Sequence, residues 1–115
     1  MIDLSIIIVS YKVKHFLEHC ISSVYQAVER LSFEIFVVDN NSQDGTEALF
    51  GQSRPHLRFI QNRGNVGFSR ANNQVLSQCR GRYILLLNPD TVVQADTFAR
   101  MISFMDNHSQ AGLAG

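Results

Sequence analysis

Four short apolar runs, each closed by a polar turn, constrain this chain more than any other feature. They are Leu4-Ser5-Ile6-Ile7-Ile8-Val9, Glu34-Ile35-Phe36-Val37-Val38, Leu57 to Gln61 and Tyr83-Ile84-Leu85-Leu86-Leu87. The first, second and fourth lack the apolar/polar alternation of a half-exposed strand, so the pattern predicts strands covered on both faces. Between the first two runs, Phe16, Leu17, Cys20, Ile21, Val24 and Val28 recur at helical spacing from Lys14 to Arg30. That is an amphipathic helix of about four to five turns. Asp44 followed by Glu47 resembles a capping box at a second helix start. Phe68, Ala71, Asn72, Val75, Leu76 and Cys79 trace one face of a third helix, with Gly81 as its stop, and Asp96 reads as the N-cap of a fourth reaching Asn107. Phe98, Met101, Ile102 and Met105 are its buried stripe. The order β-α-β-α-β-α-β-α predicts an α/β fold, a three-layer α/β/α sandwich around a mostly parallel sheet. Ala111 to Gly115 reads as the start of a fifth strand. Residues 1–115 are therefore expected to be the N-terminal part of a longer domain, truncated after the fourth βα unit.

Composition excludes several partners. Ten Lys and Arg balance ten Asp and Glu, so no global field gathers nucleic acid or anionic lipid. No apolar run nears the roughly 18 residues of a membrane span, and Asp3 precedes the first apolar core where a signal peptide would be cationic. A soluble, cytoplasmic chain is expected, with the inner face of the membrane left open for a longer protein. Residues 1–53 carry three basic against seven acidic side chains, and residues 54–115 carry seven arginines against three aspartates. Two halves of one fold attracting each other account for this, or one or two arginines meet an anionic ligand. Cys20 and Cys79 have neither metal-ligand nor CxxC spacing and read as buried reduced thiols in helices. His15 and His19, four apart on a polar face with no third ligand nearby, read as solvated.

In an open parallel sheet, ligands bind beyond the carboxyl ends of the strands. Ser10-Tyr11, Asp39-Asn40-Asn41-Ser42, Asn62-Arg63 and Asn88-Pro89-Asp90 all fall at such ends. Any one of them is explained by turn chemistry. Four converging on one edge point to a ligand. Gly64-Asn65-Val66-Gly67 lacks the GxGxxG spacing of a dinucleotide fingerprint, no GxxxxGK[ST] phosphate loop is present, and no acidic pair follows the first strand. Dehydrogenase, P-loop and phosphoacceptor readings are thereby disfavoured.

Ile7-Ile8-Val9-Ser10-Tyr11, Val37-Val38-Asp39-Asn40-Asn41-Ser42-Gln43-Asp44-Gly45-Thr46, Asn65-Val66-Gly67-Phe68-Ser69-Arg70-Ala71-Asn72-Asn73 and Leu86-Leu87-Asn88-Pro89-Asp90-Thr91 resemble, in order and spacing, the signatures of family 2 glycosyltransferases with the GT-A fold, a Rossmann-like sandwich. The resemblance covers nearly the whole chain. It implies the nucleotide-sugar-binding part of a domain whose later part supplies the acceptor site and the catalytic base. The implied reaction is inverting transfer of a sugar from a UDP- or dTDP-sugar to a hydroxyl acceptor, carbohydrate or lipid-linked, in polysaccharide biosynthesis. The Asn-Pro-Asp-Thr form resembles bacterial rhamnosyltransferases and implies a deoxysugar donor such as dTDP-rhamnose.

By the same resemblance, Ser10, Tyr11, Asp39, Asn41, Arg70 and Asn88 are candidate nucleotide-binding residues. A carboxylate such as Asp39 can orient a base by accepting from its ring N–H. Arg70, in a first helical turn and off the apolar stripe, either meets the base or diphosphate or is a solvated arginine. Asn88-Pro89-Asp90 stands where the family has a DxD-type motif, with an amide in place of the first carboxylate. Asp90 is the candidate ligand of a divalent cation, Mg or Mn, held jointly by one carboxylate and substrate phosphates, or else the segment merely turns the chain. No catalytic base is assigned within these residues, since Asp96 and Asp106 both belong to the last helix. The alternative reading is a nucleotide-binding or protein-interaction module without turnover. A piece of this kind, left with an uncovered sheet edge, is expected to form a homo-oligomer.

Overall fold

Strand β1 (Ile2–Ser10) is the hub of a four-stranded, all-parallel sheet in the computed structural model, which describes residues 2–28, 30–52 and 54–108. It pairs on one side with β2 (Phe33–Asp39) and on the other with β4 (Gly81–Leu87), and β3 (Leu57–Gln61) lies outside β2, giving the order β3-β2-β1-β4. Helix α1 (Lys14–Ala27) joins β1 to β2, the short α2 (Thr46–Phe50) joins β2 to β3, α3 (Phe68–Leu76) joins β3 to β4, and α4 (Thr97–Asn107) follows β4. The chain travels outward from β1 to β3 and then returns past β1 to reach β4. Because parallel crossovers are right-handed, that reversal moves the crossover helix to the opposite face. Two separate cores result. On one face Leu17, Cys20, Ile21 and Val24 of α1, Phe50 of α2, and Phe98 and Ile102 of α4 pack on Leu4, Ile6, Ile8, Ile35 and Val37. On the other, Ala71 and Val75 of α3 pack on Ile7, Val9, Phe36 and Val38. The three-layer α/β sandwich is thus the fold. Each fully buried Leu, Ile or Val contributes on the order of 1.5–3 kcal/mol relative to exposure.

Several local expectations need correction. Strand β4 is not covered on both faces: it alternates, with Ile84 46% and Leu86 49% exposed. It is an edge strand that pairs only with β1 among the described residues, and α3 sits over β1 and β2 instead. Helix α1 stops at Ala27, three residues before Arg30, and Phe16 lies exposed beside Lys12, Lys14 and Asp44 rather than on the sheet. Helix α3 ends at Leu76, so Cys79 falls beyond it, and Phe68 and Leu76 are exposed. Gly81 does not stop that helix. It opens β4 at a point where a Cβ would lie 2.5 Å from the Ser5 backbone nitrogen, so only glycine allows the strands this close. Asp44 and Glu47 form no capping box: Gly45 is the N-cap of α2, and Asp44 turns the chain by accepting from the Thr46 N–H and hydroxyl. Asp96 occupies the N-cap of α4 without a side-chain capping bond and pairs with Arg100 instead. The fifth strand expected at Ala111 to Gly115 lies outside the described residues.

The charge asymmetry is partly spent on contacts between the two halves, Arg63 with Glu47 at 3.7 Å and Arg82 with Asp3 at 3.6 Å. Both cysteines are free thiols, and burial, with the charge of Asp90 adding to it, pushes Cys20 up to about 11. No helix among the described residues is long and apolar enough to cross a membrane.

Candidate functional site

The carboxyl ends of the four strands form one edge, and the switch point of the topology lies there between β1 and β4. At the end of β1, Ser10 is fully buried and its Oγ has no partner among the described residues, while Tyr11 is exposed with the Lys12 ammonium 5.2 Å from its ring centre. Ser10 is in register with Asp39, and Asp39 with Gln61. Asp39 is only 1% exposed, and its carboxylate is already engaged. Oδ2 accepts from the Ser42 N–H at 3.0 Å and Gln61 Nε2 at 2.9 Å, and Oδ1 accepts from the Ser42 hydroxyl. Oδ1 thus keeps capacity for one further donor.

The loops after β1 and β2 lock together through the same residues. Ser42 Oγ accepts from the Lys12 N–H at 2.8 Å. Asp44 also faces the Lys14 N–H, at a helix start where Val13, at the N-cap, makes no side-chain capping bond. Partial burial pushes the Asp44 carboxyl up, but the bonds from Thr46, from its own N–H and from Lys14 outweigh it and hold the group below its ordinary value. Lys12, Asn41, Gln43 and Gly45 all have positive φ, between 56° and 92°. For three non-glycine residues that conformation is costly and persists only where the surroundings over-determine it.

On the far side of the sheet, α3 begins at Gly67, whose φ of 86° suits glycine. Arg70 stands exposed in the first turn, three residues on, with no hydrogen bond or ion pair among the described residues. Beyond β1, Asn88 and Asp90 are exposed on the turn that follows β4. That turn is fastened to α1 from beneath, by Cys20 Sγ to the Asn88 carbonyl at 3.8 Å and by the Val93 N–H to Ser23 Oγ at 2.9 Å. No group of three His, Cys, Asp or Glu side chains is assembled among the described residues. Asp90 and Asn88 offer one carboxylate and one amide oxygen. This donor set is hard and sparse, suited to a cation that takes its remaining oxygens from phosphates and water.

All seven candidate residues therefore lie at this edge. Ser10, Tyr11, Asp39 and Asn41 stand on two interlocked loops, Asn88 and Asp90 across β1 from them, and Arg70 on the opposite layer. Of the fastening residues, Ser42 belongs to the polar cluster that closes β2, whereas Ser23 and Gln61 carried no sequence signal of their own, being polar residues of a helix and of a strand end. Asp106 is at the other end of the molecule, bonded to Arg82 and to the Tyr83 hydroxyl.

Comparison with known proteins gives a consistent result. The family described as "Glycosyl transferase family 2" matches residues 5–115. The minor teichoic acid biosynthesis protein GgaB of Bacillus subtilis is 31% identical over 110 residues, which cover 92% of this chain and 12% of that protein. S. aureus TarS 1-349, solved in complex with UDP-GlcNAc, superposes with a TM-score of 0.79 at 24% identity, over 93% of this chain and 32% of that one. The mannosyltransferase PcManGT from Pyrobaculum calidifontis, solved with GDP-Man and Mn2+, superposes with a TM-score of 0.78 at 20% identity, over 91% and 34%. These two likenesses establish the fold, and the chain spans about a third of each solved chain.

Proposed function

The chain belongs to glycosyl transferase family 2, and on that premise we propose that it is the donor-binding part of an enzyme that moves a sugar from a nucleoside-diphosphate sugar to a hydroxyl acceptor with inversion. The observation that carries this reading is the pairing of a pre-locked carboxyl edge with orphaned polar atoms. Ser10 Oγ and Gln61 Oε1, at the ends of β1 and β3 on either side of Asp39, are buried without hydrogen-bond partners among the described residues, where a ligand's polar groups would satisfy them. The base lies against Tyr11, with its ring N–H directed to Asp39 Oδ1 and its ribose toward Asn41. Lys12 and Arg70 supply positive charge for the diphosphate. UDP and dTDP sugars are the donors favoured, and a carbohydrate or lipid-linked alcohol is the acceptor.

Asp90, helped by Asn88, would hold a Mg or Mn ion together with the diphosphate. When bound, such an ion acts as a Lewis acid that stabilises charge growing on the leaving phosphate. Titration calorimetry with UDP, dTDP and GDP, in Mn2+ and in EDTA, tests both parts of the reading. Tighter binding of one nucleotide with the cation is expected. Equal affinity in EDTA removes the cation role of Asp90, and no binding of any nucleoside diphosphate overturns the donor site and favours a module without turnover.

A further inference from the structure

We propose that Asn40, Asn62 and Gln74 form an amide clamp that positions Arg70 for the nucleotide, an inference that rests on the donor-site reading above. Asn62 is buried at the first position after β3, with its backbone N–H bonded to the Asp39 carbonyl at 2.9 Å. Its side-chain amide and that of Gln74 pair reciprocally. Asn62 Nδ2 donates to Gln74 Oε1 at 2.8 Å, and Gln74 Nε2 donates to Asn62 Oδ1 at 2.8 Å. The same Asn62 Nδ2 donates to Asn40 Oδ1 at 3.0 Å, and Asn40 Nδ2 donates to the carbonyl of Gly67 at 3.2 Å. Gly67 is the N-cap of α3, and its carbonyl also accepts the helix bond from Ala71.

The clamp therefore joins the residue after Asp39, the end of β3, and both the start and the second turn of α3. Helix α3 packs on the sheet through few apolar side chains, chiefly Ala71 and Val75. Small contacts of this kind leave the helix free to slide or tilt. A reciprocal amide pair fixes direction as well as distance; Asn40 and Asn62 are buried while Gln74 is exposed on the helix, so the network is anchored at its two buried members and reaches α3 at the surface. Arg70 lies within the turn so fixed. Its distance from Asp39 is thus set by three neutral side chains that need not touch a ligand, and none of them titrates near neutral pH.

The test is a double-substitution cycle in the protein, read by calorimetry with UDP or whichever nucleotide the unsubstituted protein binds. Arg70→Ala and Gln74→Met should each weaken binding roughly tenfold, the scale of one lost hydrogen bond to a charged group. The double variant should be little weaker than either single one, because Gln74 acts through Arg70. Asn40→Ala, which releases Gly67 but leaves the Asn62–Gln74 pair, carries the same expectation. Amide hydrogen exchange at Ala71, whose N–H bonds the Gly67 carbonyl, and on through Val75 should quicken in Gln74→Met and Asn40→Ala and stay unchanged in Arg70→Ala. Multiplicative losses in the cycle would overturn the clamp and leave Gln74 a purely structural residue. An unchanged affinity in both clamp variants, while Arg70→Ala binds weakly, overturns the clamp but keeps the donor site. Absence of nucleotide binding by the unsubstituted protein overturns both.

Discussion

Replacing Asp39 by Asn separates two demands that the structure places on one carboxylate. In the folded chain three donors converge on it, the Ser42 N–H, the Ser42 hydroxyl and Gln61 Nε2, and it is only 1% exposed. An amide can turn its oxygen toward the Ser42 N–H and Gln61. Its Nδ2 then faces Ser42 Oγ, which already accepts from the Lys12 N–H, and the hydroxyl proton loses its acceptor. Bonds to a charged acceptor contribute about 1.5–3 kcal/mol and neutral ones about 0.5–1.5, so three bonds lose roughly 3 kcal/mol together. Relief of the cost of burying a charge offsets part of that, leaving a net destabilisation of about 1–2 kcal/mol, or a fall in Tm of roughly 5–10 °C. Urea unfolding of Asp39→Asn, Ser42→Ala and the double variant measures it. The two single losses should not add, since both act on the same hydroxyl. Nucleotide affinity, read well below Tm, should fall about tenfold as the base loses its charged partner. Stability within about 0.5 kcal/mol of the parent would refute the reasoning that the carboxylate holds the loop.

Gly81→Ala should destabilise by at least about 1–3 kcal/mol, because the added Cβ meets Ser5 backbone rather than a movable side chain; urea unfolding checks it, and an unchanged midpoint would mean the strands can part at no cost. Asp44 has a lowered pKa in the fold, so it contributes stability that is complete above its unfolded value of about 3.9 and is lost as pH falls through the folded value. Asp44→Asn should therefore be less stable than the parent at neutral pH and lose less on acidification below about pH 4, as followed by unfolding at stepped pH. Ile84→Lys should reduce concentration-dependent association of the 115-residue chain, read by light scattering, since Ile84 and Leu86 are exposed beside a strand edge that is unpaired among the described residues; association that persists unaltered would place the contact elsewhere.

The succession of elements along the chain and their layering were legible because buried parallel strands and amphipathic crossovers leave strong periodic marks, whereas the sheet order β3-β2-β1-β4 was not assigned from the sequence. The end of each strand was marked too, by polar residues that must stop a ladder. What escaped was set by neighbours distant in sequence. Ile84 and Leu86 read as doubly buried because hydrophobicity records a residue's preference and not whether another element arrives to cover it. Gly81 read as a helix stop, since nothing local reveals that Ser5 passes within contact of it. Asp44 read as a cap for its own helix, and it does bond the turn ahead of α2, but its third partner is the start of α1, some thirty residues earlier. Asp39 was legible as a special carboxylate, whereas its capture by Ser42 and Gln61 depends on the register of β2 with β3.

The interlocking of the loops after β1 and β2 has a consequence for how this edge can be altered. Ser42, on one loop, accepts from the backbone N–H of Lys12 on the other, and Asp44 faces the start of α1 beside it, and left-handed residues occur in both. Neither loop keeps its shape without its counterpart. A chimaera that imports residues 11–14 alone, to change what the edge recognises, would receive a segment whose hydrogen-bond acceptors belong to a different host. Importing 11–14 together with 39–46 transfers the acceptors, the donors and the backbone turns as one cassette. Recognition at this edge is thus exchangeable in a pair of segments and resistant to change in either one singly.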